Sequence, residues 1–184
     1  MKAKRFSSLL IATSLMFCAL APACGPREKG PATRKLISAN GRFEITVPGA
    51  WKEEKTLNDS ADLQASHRPS EMYVVVLSEP KADLDGMTLE GHSKLTRQSL
   101  IDGVKDPQVS PAFAMKVGDL AALQYEIRGS LDHVKIVYLH TTAESPNYFH
   151  QILAWTVPSR FEKNKDTLQK IIALFRETPQ VTQP

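Results

Sequence analysis

Two apolar runs late in the chain, Val134–Thr141 and Tyr148–Val157, constrain its fold more than any other stretch. Val-Lys-Ile-Val-Tyr-Leu-His-Thr and Tyr-Phe-His-Gln-Ile-Leu-Ala-Trp-Thr-Val are rich in β-branched and aromatic residues, the composition of strands. Both are apolar on successive positions rather than on alternate ones, so neither sheet face is left to water. Glu144-Ser145-Pro146-Asn147 between them is long enough only for a hairpin, which makes the pair antiparallel. Met72–Leu77, ended by Glu79-Pro80, has the same character, so helices are expected on both sides of the sheet that these runs build.

The rest of the chain supplies the other elements. Arg42–Val47 alternates Phe43, Ile45 and Val47 with polar neighbours, the period of a half-buried strand, and Pro48-Gly49 ends it. Trp51 is expected to fold back onto the core. Ala61–Ser66 is a weaker strand, Thr88–Ile101 reads as a helix, and Ala112–Val117 and Leu120–Arg128 flank the hairpin turn Gly118-Asp119. Ser159-Arg160-Phe161-Glu162 has the form of a capping box. It opens a helix that places Phe161, Leu168, Ile171, Ile172 and Phe175 on one face. Strands joined largely by hairpins, with a helix before and a helix after the last four, define an α+β fold with a mostly antiparallel sheet. Residues 36–177 have the length of a single domain with a real core.

The first residues are an address. Lys2, Lys4 and Arg5 precede an apolar run from Leu9 to Leu20, about a dozen residues and short of the roughly 20 needed to span a bilayer. Residues 1–23 therefore read as an export signal that is removed. Ala21-Pro22-Ala23 meets the A-x-A rule of ordinary signal peptidase, and Ala23-Cys24-Gly25 resembles the end of a bacterial lipobox, although Ala21 stands where leucine is usual. Both readings cleave before Cys24. Cys18 leaves with the signal, so Cys24 is the single cysteine of the mature chain, and acylation would protect its thiol in an oxidising compartment. The expectation is a lipid on Cys24, with a membrane as partner through that anchor. Gly25 is not an aspartate of the inner-membrane retention type, which favours the outer membrane facing the periplasm; a soluble periplasmic or secreted protein is the alternative. Residues 24–35 are read as a flexible linker whose Arg27, Lys29, Arg34 and Lys35 keep it solvated or touch anionic headgroups. Residues 178–184 are read as a frayed tail.

Charge excludes some functions. The chain carries 23 basic and 20 acidic residues, and three of the basic ones precede Cys24, so the mature protein is formally neutral. That excludes the basic excess on which nucleic-acid binding relies. No Gly-rich phosphate loop is present, and Arg160, Lys163, Lys165 and Lys170 form the wet face of the last helix. Gly129-Ser130-Leu131-Asp132-His133 holds the residue types of a hydrolase triad, yet reads as a turn between strands, and no Gly-x-Ser-x-Gly elbow exists. Glu53-Glu54 and Asp83 with Asp85 fall in loops. Turning the late hairpin about Ser145 sets His140 opposite His150, where two imidazoles would share a metal. A zinc site needs further ligands that no local spacing supplies, so no metal or other cofactor is assigned.

Gly41, Phe43, Ile45, Val47-Pro48-Gly49 and Trp51 resemble the opening F-x-I-x-V-P-x-x-W of PsbP-like domains. The similarity continues through Gly118, the apolar strand ending at Trp155 and the last amphipathic helix, over about Gly41 to Glu177. It implies a three-layer α/β/α sandwich, shared by extrinsic photosystem II proteins, a Ran-binding protein and DcrB-like bacterial lipoproteins, which mostly bind or stabilise partners. The DcrB-like group also joins an export signal and a lipid-type cysteine to the domain. No ligand residue carries over, and a photosystem role is not supported. The reading is a non-catalytic envelope lipoprotein that binds or assembles an envelope protein partner. The alternative is a small periplasmic hydrolase or metal-binding protein using His140 and His150.

Overall fold

The computed structural model describes residues 32–179. The expected export signal, Cys24, the first part of the expected linker and residues 180–184 lie outside it.

Three strands form a small sheet: β1 (Thr33–Ile37), β2 (Phe43–Pro48) and β11 (Arg176–Glu177), in the order β1-β2-β11. The large sheet holds β3 (Lys52–Glu53), β4 (Leu63–His67), β5 (Met72–Pro80), β6 (Lys105–Val109), β7 (Phe113–Val117), β8 (Leu120–Leu131), β9 (Val134–Glu144) and β10 (Tyr148–Thr156). Its order is β3-β4-β5-β10-β9-β8-β6, with β7 also paired to β8. Every strand pair among the described residues is antiparallel. The two long apolar runs lie at its centre as β9 and β10.

Parity along β9 decides what each face meets. Val137, Leu139 and Ala143 belong to one core cluster with Phe161, Leu168, Ile171 and Ile172 of α2 (Phe161–Ala173). The same cluster takes in Phe43, Ile45 and Val47 of β2, and Trp51, which is 2% exposed as expected. Ile136 and Tyr138 point the other way, into a smaller cluster with Val104 and Ile127, against which Leu100 and Ile101 at the end of α1 (Leu89–Asp102) pack. Helices thus cover both faces, as the doubly apolar strands require. The fold is α+β, an antiparallel sheet between helical layers.

The expected elements recur with shifted ends. Helix α1 begins where Thr88 caps it, its Oγ1 accepting from the Gly91 amide at 3.1 Å. Gly118 adopts the left-handed φ of +57° in the two-residue turn that joins Val117 to its partner Leu120. The capping box does not form: Pro158–Arg160 is a 3-10 turn, and α2 starts at Phe161 without a side-chain cap. Proline at the first position favours that tight turn and displaces Ser159 from the cap. The turn predicted over Gly129–His133 shrinks to Asp132-His133, and Gly129 and Ser130 stay in β8, paired with Ile136 and Lys135.

The linker expectation also needs correction at its end, since β1 starts at Thr33. Arg34 Nη1 donates to the Trp51 carbonyl at 3.3 Å, and Lys35 Nζ reaches Glu44 Oε1 at 3.2 Å. Glu44 is 6% exposed and also holds Arg176 at 2.9 Å. One buried carboxylate therefore ties β1 and β11 to β2, and Arg34 and Lys35 are structural rather than free for headgroups. At the other end, the Thr178 amide donates to the Arg42 carbonyl at 2.8 Å, and its hydroxyl donates to the Gly41 carbonyl. Thr178 is thus fastened rather than frayed.

Candidate functional site

The late hairpin closes on Pro146-Asn147, with the Ser145 amide donating to the Tyr148 carbonyl at 2.9 Å and the Tyr148 amide donating to Ser145 Oγ at 3.0 Å. His140 consequently pairs with Leu153, and His150 with Ala143. The two histidines fall on opposite faces of the sheet, so they cannot share a metal as the alternative reading, with a turn about Ser145, would require. A register change of one residue inverts every side chain of a strand. Among the described residues no group of three or more His, Cys, Asp or Glu side chains is arranged to hold a metal.

On the α2 face His150 is fully buried and spans both sheets. Its Nε2 lies 2.9 Å from Glu177 Oε1 of β11, and its Nδ1 lies 2.9 Å from Ser78 Oγ of β5. A carboxylate only accepts, which assigns the ring proton to Nε2 and makes Ser78 the donor to Nδ1. Phe175 and Phe43 pack against the ring, with centroids at 4.8 and 5.4 Å. Burial lowers the His150 pKa against the opposing pull of Glu177. Serine, imidazole and carboxylate in line are the groups of a hydrolytic relay, but their setting is not that of one. Ser78 is paired within a central strand, and its backbone amide, the group that would help hold an oxyanion, donates to Asp62 Oδ2 at 2.8 Å. The trio is a clamp between β5, β10 and β11.

The α1 face is different in kind, because α1 meets the sheet through polar side chains. His92, Ser93, His140 and Thr142 are all fully buried. His92 Nε2 sits against Glu79 Oε2, and its ring stacks on Phe149 with centroids 4.8 Å apart. Thr96 Oγ1 donates to the His92 carbonyl at 2.9 Å and therefore accepts from His140 Nε2 at 3.1 Å. Each Nε2 thus carries a proton, and neither Nδ1 has a protein partner; Ser93 Oγ and Thr142 Oγ1 have none either. Burial pushes the His140 pKa down to about 4, with the charge of Arg97 acting in the same direction.

Four unpaired buried polar atoms are costly unless something meets them. Beside them, between α1 and β5, opens a cleft of about 420 Å³ whose wall includes Glu79, Thr96, Ser99 and Gln151 with Leu77 and Leu95. Glu79 and Thr96 belong to both sets: they line the cleft and hold His92 and His140. This is the candidate site. Of its residues the sequence reading singled out His140 alone. A polar stripe at helical spacing, Thr88, His92, Thr96 and Ser99, was the available signal, since it lies on one side of a helix expected to cover a sheet.

No protein-family model matches the chain, and comparison with curated proteins finds no match. Solved structures do match. The solution structure of cyanobacterial PsbP (CyanoP) from Synechocystis sp. PCC 6803 superposes with a TM-score of 0.59 at 14% identity, over 86% of this chain and 100% of that one. LpqN of Mycobacterium tuberculosis, described as involved in cell envelope biogenesis, gives 0.58 at 12% identity, over 80% and 91%. The Saccharomyces cerevisiae Ran-binding protein Mog1p gives 0.53 at 11% identity, over 78% and 94%. The antiparallel sheet, the two covering helices and these superpositions give this chain the PsbP-like fold.

Proposed function

We propose that this protein is a non-catalytic lipoprotein of the bacterial cell envelope, held at the outer membrane by an acyl group on Cys24, that binds or helps assemble an envelope partner through the cleft beside α1. The observation that carries the binding reading is the polar contact of α1 with the sheet, where four buried polar atoms lack partners behind an open cleft. LpqN, involved in cell envelope biogenesis, and the Ran-binding Mog1p support a binding or assembly role on this fold. The export signal and the cysteine that follows it support the anchor.

Palmitate labelling with membrane fractionation tests the anchor. Label and membrane attachment are expected to be lost together in Cys24→Ala, and an unlabelled, soluble wild type would refute anchoring. The binding reading is tested by in-cell crosslinking from Ser99→Cys, with Asp119→Cys at the far end of the molecule as control. A discrete adduct specific to position 99 supports it; turnover of generic ester or phosphate substrates by the purified protein, abolished by Ser78→Ala, would replace it with the hydrolase alternative.

A further inference from the structure

The described chain begins against the end of β2, with the Gly49 amide donating to the Ala32 carbonyl at 3.1 Å and Thr33 paired with Pro48. From there Trp51 leads into β3, where Lys52 pairs with Ser66, Ser66 with Tyr73, Tyr73 with Trp155, Trp155 with Tyr138, and Tyr138 with Ile127. That row crosses the large sheet at one end. The chain therefore enters the domain at the end where β8 and β9 meet in the Asp132-His133 turn, and opposite the end that carries Gly118-Asp119 and Pro146-Asn147. Eight residues, Gly25 to Ala32, separate Cys24 from β1, and fully extended they reach about 30 Å.

Two exposed apolar side chains at this end sit on the hairpin tip. Leu131 and Val134 face each other across the turn and are 40% and 52% exposed. By strand parity they share a sheet face with Tyr73 and Trp155, whose rings stack at 5.3 Å, and with these they line a groove of about 290 Å³. Aliphatic side chains on a projecting tip, backed by tryptophan and tyrosine, are the composition of a bilayer interface. Exposed Lys105 and Lys135 flank the tip but are offset by Asp106 and Asp132, so the contact is apolar rather than electrostatic.

We infer that the β8–β9 hairpin tip, with Leu131 and Val134 leading, rests in the headgroup region of the membrane that carries the anchor. The inference depends on the acylation of Cys24 proposed above. Two aliphatic side chains bind a bilayer weakly by themselves; a tether of this length keeps the tip at high effective concentration against the surface. The domain then stands on its β8–β9 end, with the Gly118 and Pro146 turns directed away from the membrane.

The test uses the full acylated protein in phosphatidylcholine vesicles, with a nitroxide on Val134→Cys, on Leu131→Cys and, as control, on Asp119→Cys. Collision with oxygen is expected to rise severalfold over collision with a water-soluble nickel chelate at 131 and 134 relative to 119, without need of anionic lipid. If the protein floats with the vesicles but all three labels meet the chelate equally, the tip inference is overturned and the anchor stands. If the protein does not float at all, the anchor is refuted and the inference falls with it.

Discussion

His140 shows how one buried side chain couples folding to pH. In the unfolded chain its imidazole takes a proton near pH 6.5; in the folded protein burial holds the pKa at about 4. The folded state therefore binds fewer protons between those values. The stability contribution is complete above pH 6.5 and is lost as pH falls to 4, by about 3 kcal/mol at about 1.4 kcal/mol per unit. Urea titrations at pH 7 and pH 4.5 are expected to show this loss, and His140→Leu is expected to flatten it; an unchanged slope would mean that His140 is not the group responsible. A second residue-scale constraint is Gly129 near the end of β8. A Cβ there would lie 2.2 Å from Val104 Cγ1 and 2.8 Å from the Lys105 carbonyl. Because the second obstacle is backbone, Gly129→Ala should cost about 1–3 kcal/mol, measured as a shifted denaturation midpoint with unchanged slope.

At the scale of elements the two helices differ in what holds them. Helix α2 buries Phe161, Leu168, Ile171 and Ile172, whereas α1 buries Leu89, His92 and Ser93. Fewer apolar contacts mean a lower opening free energy, so amide exchange in α1 is expected to run ahead of that in α2 by orders of magnitude; equal protection would show that the polar interface is as strong as an apolar one. The β8–β9 turn is similarly exposed to test. Asp132 and His133 both have positive φ, 49° and 67°, and His133→Gly should raise stability by a few tenths to about 1 kcal/mol by removing the left-handed penalty, visible as a higher melting temperature. These elements were largely legible beforehand: the helix over Thr88–Ile101 and the hairpin at Gly118-Asp119 rest on local chemistry. The short β3, β6 and β11 were not, because Lys105–Val109 has little apolar pattern and two-residue strands exist only through their partners.

Across the whole molecule the His150 clamp joins pieces remote in sequence. Ser78, His150 and Glu177 come from three strands of two sheets, and the last of them closes the chain back onto β2. Glu177→Gln and His150→Leu, measured singly and together by urea denaturation, should show a coupling energy of about 0.5–3 kcal/mol, while additive effects would mean that the hydrogen bond holds nothing beyond the packing of Phe43 and Phe175. The same geometry separates the two late histidines. The sequence showed two histidines at the ends of paired strands, and their face depended on whether the turn centred on Ser145 or between Pro146 and Asn147, a difference that residue identities leave open.

By itself the sequence determined the class of the fold and the core. Apolar periodicity and turn residues act over a few positions, and Phe43, Ile45, Trp51, Leu168 and Ile172 are buried where their patterns placed them. Only the tertiary structure decided the register of the late hairpin, the pairing of His92 with Glu79 and of His140 with Thr96, the clamp at His150, and which end of the sheet carries the exposed Leu131 and Val134. Those are relations between side chains far apart in the chain, set by how strands align and which face each helix covers, and a local pattern does not encode them.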